Sequence, residues 1–155
     1  MKKIISHLIF SFSLLSSVAE AANFSGSWSG TGTLSGAVGP SMKCPEIDAW
    51  VKHEEKRIIF SWSAKCHDSS GELAYETGWE WYKLDVGYSG DLFDDMGIVG
   101  KVLDSSFWVA PYFGEFVSKV TMTVSENASL VFLNEFGTHG SGYTSQLQGE
   151  LFLNP

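Results

Sequence analysis

The sequence predicts an all-β protein, and its simplest arrangement is an antiparallel up-and-down β-barrel of about eight to ten strands. Apolar and polar residues alternate with a period of two along most of the chain, and no long stretch shows the 3.6-residue period of an amphipathic helix. Short segments rich in Gly, Ser, Asp and Asn separate these stretches, as is typical of turns between antiparallel strands. Closing the strands into a barrel removes exposed sheet edges, whereas a two-sheet sandwich is the main alternative.

Residues 1–21 are predicted to be a secretory signal peptide, and residues 22–155 a single β-barrel domain. Lys2 and Lys3 precede an apolar stretch that is shorter than the roughly 20 residues of a membrane-spanning helix. Ala19-Glu20-Ala21 then matches a small-x-small cleavage site. We therefore expect an exported protein, in a bacterial periplasm or outside the cell, with no transmembrane segment in the mature chain.

The charge of the chain limits the partners that it is expected to bind. Its 18 acidic residues outnumber its 10 Lys and Arg residues, which gives a formal net charge of −8. Nucleic acid is excluded as an expected partner, because binding it requires Lys and Arg side chains that neutralise phosphates. The charge favours solubility, and it is compatible with a basic partner protein or a cationic ligand.

The first predicted strand, residues 24–34, alternates strictly between two kinds of side chain. Phe24, Trp28 and Leu34 lie on one face, with glycines between them, and a Ser or Thr occupies every position of the other face. We expect the aromatic face to point into the barrel and the hydroxyl face to point outward. The glycines are expected to let the strand bend and to leave space above Trp28.

The second and third strands are expected at residues 44–53 and 57–66, joined by a tight turn. If His53 lies opposite Arg57, Cys44 and Cys66 also lie opposite each other, close enough to form a disulfide. These are the two cysteines of the chain, and export favours their oxidation. The sequence therefore predicts a disulfide between Cys44 and Cys66.

The same register has a consequence for two acidic side chains. It places Asp48 opposite Trp62 and Glu46 opposite Ala64, so both carboxylates would share the face that carries the aromatic rings. An unpaired buried charge costs several kcal/mol, so this arrangement requires either a hydrated lumen or a position at the solvent-exposed rim.

The rest of the chain predicts further strands and one irregular aromatic segment. The remaining strands are expected at 73–86, 91–103 with a bend near 94–97, 117–124, 130–136 and 143–153. Gly78 is a candidate bulge in the first of these. Residues 107–116 are dense in aromatic side chains but interrupted by Pro111 and Gly114, which suggests either a flap over the open end of the barrel or a patch for a partner.

The start of the predicted mature chain resembles a known superfamily. Phe24-Ser-Gly26-Ser-Trp28 resembles the Gly-x-Trp first strand of lipocalins and their calycin relatives, and Trp28-Ser-Gly30-Thr-Gly32 resembles the start of nitrobindin-like barrels. The order of predicted strands is similar to the calycin plan over nearly the whole mature chain. The resemblance implies that Phe24, Gly26 and Trp28 form the floor of the barrel, with Trp28 closing one end.

Two features depart from that resemblance. Lipocalins set a basic residue of the last strand against the first-strand Trp, but residues 143–153 contain neither Lys nor Arg. Nitrobindin-like barrels bind haem through a histidine near the end of the chain. His139 lies in a Gly-rich turn before the last predicted strand, and that strand contains no histidine, so we expect no haem and no other cofactor.

The remaining aromatic residues predict a ligand pocket inside the barrel. Tyr75, Trp79 and Trp81 alternate along one predicted strand and would form an aromatic ladder on one face, as in pockets for small molecules. The predicted pocket wall comprises Phe60, Trp62, Tyr75, Trp79, Trp81 and Trp108, with Tyr112 and Phe113 at the entrance. The alternative is that these rings simply fill the interior of the barrel.

No motif in the sequence points to catalysis or to a metal site. A Gly-x-Ser-x-Gly nucleophile elbow is missing, and His53, His67 and His139 each lie at a turn or a strand end. Paired acids such as Glu76 and Glu80 are more typical of a solvated strand face than of acid-base catalysis. The sequence therefore predicts neither catalytic residues nor metal ligands.

Three functions remain open, in order of preference. The first is an exported, non-enzymatic barrel that binds a small, largely apolar molecule in an aromatic-lined lumen. The second is a filled acidic barrel that binds another protein, for example as an inhibitor of a cationic enzyme such as a lysozyme. The third is an enzyme that isomerises or hydrolyses a ligand held in the lumen.

Overall fold

The computed structural model describes residues 22–36, 40–94 and 97–155, and the predicted signal peptide lies outside these residues. The described chain is built of β-strands and turns. The strands are β1 (Gly26–Gly36), β2 (Met42–Glu54), β3 (Arg57–His67), β4 (Leu73–Val86), β5 (Asp91–Asp94), β6 (Gly97–Val102), β7 (Ser106–Val109), β8 (Tyr112–Phe113), β9 (Phe116–Val124), β10 (Leu130–Thr138) and β11 (Gly142–Leu153).

Ten of these strands are hydrogen-bonded in a closed ring. Strands β1 to β7 are neighbours in chain order, β7 pairs with β9, and β10 and β11 follow before β11 returns to β1. Each of these pairs is antiparallel, and the short strand β8 pairs with β9. The prediction of an all-β, antiparallel up-and-down barrel is therefore confirmed. Both edges of β1, β2, β3, β10 and β11 are paired in this ring, whereas β4 pairs with β5 only at Asp85 and Val86.

The prediction of one bent strand over residues 91–103 is wrong. Strands β5 and β6 occupy this segment and pair with each other as a hairpin, with Asp94 opposite Gly97. The chain therefore reverses where a bend was predicted. Asp and Gly are frequent in turns because Asp bonds to nearby backbone groups and Gly adopts conformations closed to other residues.

The aromatic segment at residues 107–116 belongs to the barrel wall rather than to a flap. Strands β7 and β8 share one register against β9, since Val109 pairs with Val120 and Tyr112 with Val117. They are one strand interrupted at Pro111, whose nitrogen carries no hydrogen to donate to the ladder.

The register of the first hairpin differs from the prediction by one residue, and a bulge in β2 restores the predicted alignment near the cysteines. Ile47 pairs with Ala64, one position away from the prediction, and the register then shifts between Glu46 and Lys43. Pro45 lies within this shift and lacks the N–H that a regular ladder would use there. Beyond the bulge the predicted disulfide between Cys44 and Cys66 is formed, and both cysteines are buried.

The corrected register changes the direction of the two acidic side chains. Asp48 pairs with Ser63 and Glu46 with Lys65 on the outer face. There the Lys65 ammonium donates a 2.6 Å hydrogen bond to the Glu46 carboxylate and forms an ion pair with it. The prediction that these carboxylates share a face with the aromatic rings is therefore wrong. A single inserted residue reverses the faces of a strand because its side chains alternate with a period of two.

Strand β1 shows the predicted alternation, and its glycines pack against backbone. Trp28 and Leu34 are buried, while the Ser and Thr side chains between them are exposed or half-buried. A Cβ atom at Gly30 would collide with the carbonyl oxygen of Glu150 on β11, and one at Gly32 would lie 2.6 Å from the Ile47 side chain. The glycines therefore allow close packing, which corrects the expectation that they leave empty space.

The segment that precedes β1 crosses one end of the ring, which we call the base. The Ala22 N–H donates to the carbonyl oxygen of Asp104, in the turn between β6 and β7 on the far side of the barrel (2.8 Å). Phe24 is fully buried, and its ring packs edge-on against Phe107 with centroids 5.1 Å apart. The indole N–H of Trp28 donates to the Phe24 carbonyl oxygen (3.0 Å) and so fixes the segment over the base.

Reduction of the disulfide is expected to lower the free energy of unfolding by about 3 kcal/mol, because the open chain regains the entropy lost in a loop closed over a sequence separation of 22. Urea unfolding with and without a reductant measures this difference. The chain has no other cysteines, so any change in stability that the reductant causes through a thiol is due to this bond. Identical unfolding midpoints would contradict the prediction.

Gly30→Ala is expected to lower the free energy of unfolding by about 1–3 kcal/mol, because the added Cβ forces β1 away from β11. Gly140→Ala is the matched control, since a Cβ there meets no atom within 4 Å. Urea unfolding of both variants tests the prediction, which fails if the two lose the same stability.

Candidate functional site

Aromatic rings fill much of the barrel interior. Phe60 on β3 lies at the centre, with its ring centroid 5.7 Å from Phe107 and 6.0 Å from Trp79. Trp62 continues the cluster at 6.0 Å from Trp79 and 4.9 Å from Phe132. Phe60 and Trp62, both predicted to line a pocket, are at most 3% exposed and pack as core. This part of the lumen therefore follows the alternative in which rings fill the barrel.

A second bulge separates Trp79 from Trp81. On one side of it Trp62 pairs with Trp79, and on the other Phe60 pairs with Tyr82, so Glu80 and Trp81 both lie opposite Ser61. Trp79 is half-buried within the aromatic cluster, whereas Trp81 is 61% exposed on the outer face. The prediction that the two tryptophans share one face is wrong for this reason, and the bulge lies two residues beyond the candidate at Gly78.

Of the other predicted pocket residues, Trp108 and Tyr75 lie in different parts of the barrel. Trp108 is on the outer face of β7, between buried neighbours, and the Lys119 ammonium lies 5.3 Å from its ring centroid. The side chains of Tyr112 and Phe113 lie outside the part of the chain that the structure describes. Tyr75 remains with Trp79 at the end of the barrel opposite the base.

That opposite end, the mouth, contains a cavity of about 350 Å³. Trp79 borders both this cavity and the packed interior, and so forms the inner limit of the mouth. Tyr75 on β4 and Phe136 on β10 lie across it with nearly parallel rings, 4° between planes and 6.3 Å between centroids. The cavity residues are Tyr75, Thr77, Trp79, Phe116, Val117, Ser118, Asn134, Phe136, Gly137, Thr138 and Thr144.

The polar groups of the mouth are few and neutral. Asn134 is 3% exposed, and its amide oxygen accepts a 2.9 Å hydrogen bond from the Ser118 hydroxyl. Three threonines contribute further hydroxyl groups, and none of the described residues around the cavity is acidic or basic. In a chain with 18 acidic residues, the mouth is thus an uncharged surface with a few hydrogen-bonding groups.

Asn134, Ser118 and Phe136 were not among the predicted site residues. Asn134 does carry a signal in the sequence, because Leu130, Phe132 and Phe136 occupy the alternate positions of the same strand. An amide in an otherwise apolar series indicates either a satisfied buried polar group or a ligand contact. Ser118 can be identified as a site residue only from its hydrogen bond to Asn134 across the β9–β10 pair.

Tyr82 lies next to the mouth within the aromatic cluster. Its ring centroid is 5.8 Å from that of Trp79, and burial raises the pKa of its phenol above the ordinary value, with a further contribution from the Asp94 carboxylate. The phenol is therefore neutral at physiological pH.

Within the described residues, the indole N–H of Trp62 is the one buried side-chain donor without a hydrogen-bond partner, which costs about 1–3 kcal/mol.

Comparison with known proteins finds no protein-family model that matches the chain and no curated protein that is similar to it. Over the described part of the chain, no group of three or more His, Cys, Asp or Glu side chains is arranged to hold a metal ion. Within the same residues, no helix has the length and apolar character needed to cross a membrane.

Proposed function

We propose that the protein binds a small, neutral, largely apolar molecule in the mouth of the barrel without transforming it. The observation that carries this proposal is the uncharged lining of the mouth cavity in a strongly acidic protein. Its volume of about 350 Å³ lies within the range of roughly 300–1,000 Å³ that is usual for ligand pockets.

The contacts of the mouth suggest how such a ligand is held. The rings of Tyr75, Trp79 and Phe136 provide apolar surface, and aromatic faces favour offset or edge-on contact with other rings. The Asn134 amide and the Ser118 hydroxyl offer hydrogen bonds that would orient one polar group of the ligand. The described residues that line the cavity include no carboxylate, imidazole or thiol, which supports binding rather than catalysis.

We further propose that the barrel is of calycin type and is exported. The closed ring of antiparallel strands supports the first part, with Phe24, Gly26 and Trp28 as the floor. The disulfide between Cys44 and Cys66 supports the second part, because disulfides persist in oxidising compartments. The disulfide also lies near the mouth, since Cys66 pairs with Tyr75 across β3 and β4.

The neutral fluorescent probe N-phenyl-1-naphthylamine tests the ligand site. Phe136→Ala is expected to weaken its binding about three- to tenfold, because one aromatic wall of the mouth is lost. Thr77→Trp is expected to weaken it about tenfold or more, because the added ring fills the cavity. The dissociation constants come from the rise in probe fluorescence.

Two variants on the outer face serve as controls. Phe152→Ala removes an aromatic side chain that is 58% exposed, and Thr33→Trp adds an indole at an exposed position of β1. Both should bind the probe like the original protein. Circular dichroism shows whether each variant is folded. Unchanged probe affinity in folded Thr77→Trp would place the probe elsewhere and refute the mouth as the site.

A further inference from the structure

The outer face of the barrel carries a second cavity, of about 400 Å³, which we call the tryptophan cleft. It lies over β1 to β4, on a row where Ser27, Trp50 and Ser61 are paired across adjacent strands and Trp81 follows at the bulge. The indoles of Trp50 and Trp81 meet across Ser61, edge to face, with centroids 5.3 Å apart. Large rings beside small serines create a depression on a convex surface.

The β4 bulge is what brings Trp81 to the cleft. Trp81 has a φ of 52°, a left-handed conformation that is unfavourable for any residue with a Cβ. Its indole is 61% exposed, so little burial compensates for the unfavourable backbone. Bulges often redirect a side chain beside a functional site, and backbone outliers of this kind are concentrated at such sites.

Two carboxylates at the cleft form no direct ion pair within the described residues. Asp48 and Glu80 both line it, and within the described residues neither forms a hydrogen bond or an ion pair. The neighbouring Glu46 is different, since the Lys65 ammonium binds it at 2.6 Å and acts on Asp48 only at longer range. The cleft thus combines two indole rings with two carboxylates for which the described residues provide no direct ion-pair partner.

We propose that the tryptophan cleft receives a cationic side chain, the guanidinium of Arg or the ammonium of Lys, from a basic partner protein. A cation is attracted by the face of an indole as well as by a carboxylate, and Trp is the strongest aromatic partner for a cation. The same protein shows this contact at Trp108, whose ring lies 5.3 Å from its own Lys119 ammonium. The cleft offers the same chemistry to a cation that comes from the partner protein.

The charge of the whole molecule favours a protein as the source of that cation. A net charge of −8 attracts a basic surface over a distance and speeds the encounter, which one small cation would exploit far less. Exposed Trp side chains are also frequent anchors at the centre of protein interfaces. This inference is independent of the proposed ligand in the mouth, because the side chains on which it depends, Asp48, Trp50, Glu80 and Trp81, do not line the mouth cavity.

An octapeptide of alternating Gly and Arg is the probe for this proposal, and the same peptide with citrulline in place of Arg is its neutral control. Calorimetric titration of the full protein at low ionic strength is expected to show binding of the arginine peptide. Trp81→Ala should weaken it about tenfold, as expected for the loss of a cation–π contact beside carboxylates. The citrulline peptide should not bind measurably.

Charge variants separate the cleft from general attraction to an acidic protein. Asp48→Asn and Glu80→Gln should each weaken the arginine peptide several-fold more than Glu126→Gln, which removes the same charge from the exposed turn between β9 and β10. These variants keep the test decisive if Trp81→Ala does not fold. An equal effect of Glu126→Gln would overturn the proposal.

Two further results would also overturn it. One is tight binding of the citrulline peptide, because the cleft would then recognise a neutral group. The other is binding of N-acetylarginine amide as strong as that of the octapeptide, because a small cation rather than a basic polypeptide would then be the occupant. Binding of N-phenyl-1-naphthylamine at the mouth is measured separately and is expected to be the same in Asp48→Asn as in the original protein.

Discussion

The packing of aromatic rings inside the barrel is the constraint on which the rest of the structure depends. Trp62 packs against Phe132 and Phe60 against Phe107 within the interior, and Phe24 closes the base beneath them. Burying one such side chain stabilises the fold by about 1.5–3 kcal/mol, which offsets the unpartnered indole N–H of Trp62. A lumen hollow along its whole length would lose these contacts. Space for a ligand is therefore found at the mouth, above Trp79, or on the outer face.

Two bulges decide which side chains lie inside and which outside. The irregularity at Pro45 keeps Cys44 and Ile47 both inside, although they are an odd number of positions apart, and turns Asp48 outward. The irregularity in β4 keeps Trp79 inside and turns Trp81 out. Each inserts one residue, and each reverses the alternation beyond it because side chains in a strand point to opposite faces in turn. The bulges thus remove charge from the interior and place aromatic surface outside.

Alternation in the sequence was enough to predict the class of fold, most strands and the inward face of β1. It was enough for the disulfide as well, although for a partly wrong reason. The predicted register placed Cys44 opposite Cys66 without a bulge, whereas the true hairpin is offset by one residue and Pro45 restores the alignment. Trp81 was misplaced because nothing in a Trp-Glu-Trp series signals an extra residue. Asn134 could have been found, since it interrupts an apolar face, but its pairing with Ser118 depends on a cross-strand contact.

Strand β4 joins the two candidate sites, and the chemistry of each follows from the side of the wall that it occupies. Trp79 faces a cavity without charged residues, where an apolar molecule displaces water at little electrostatic cost. Trp81 faces solvent beside Asp48 and Glu80, where charge is hydrated and a cation gains from both ring and carboxylate. Trp79 and Trp81 are only two positions apart in β4, and the bulge turns the first toward the interior and the second toward solvent. A domain of this size has a free energy of unfolding of only about 5–15 kcal/mol, so a left-handed Trp with most of its indole in water is a measurable loss. The proposed binding on the outer face gives a reason for the unfavourable conformation of Trp81 that folding alone does not.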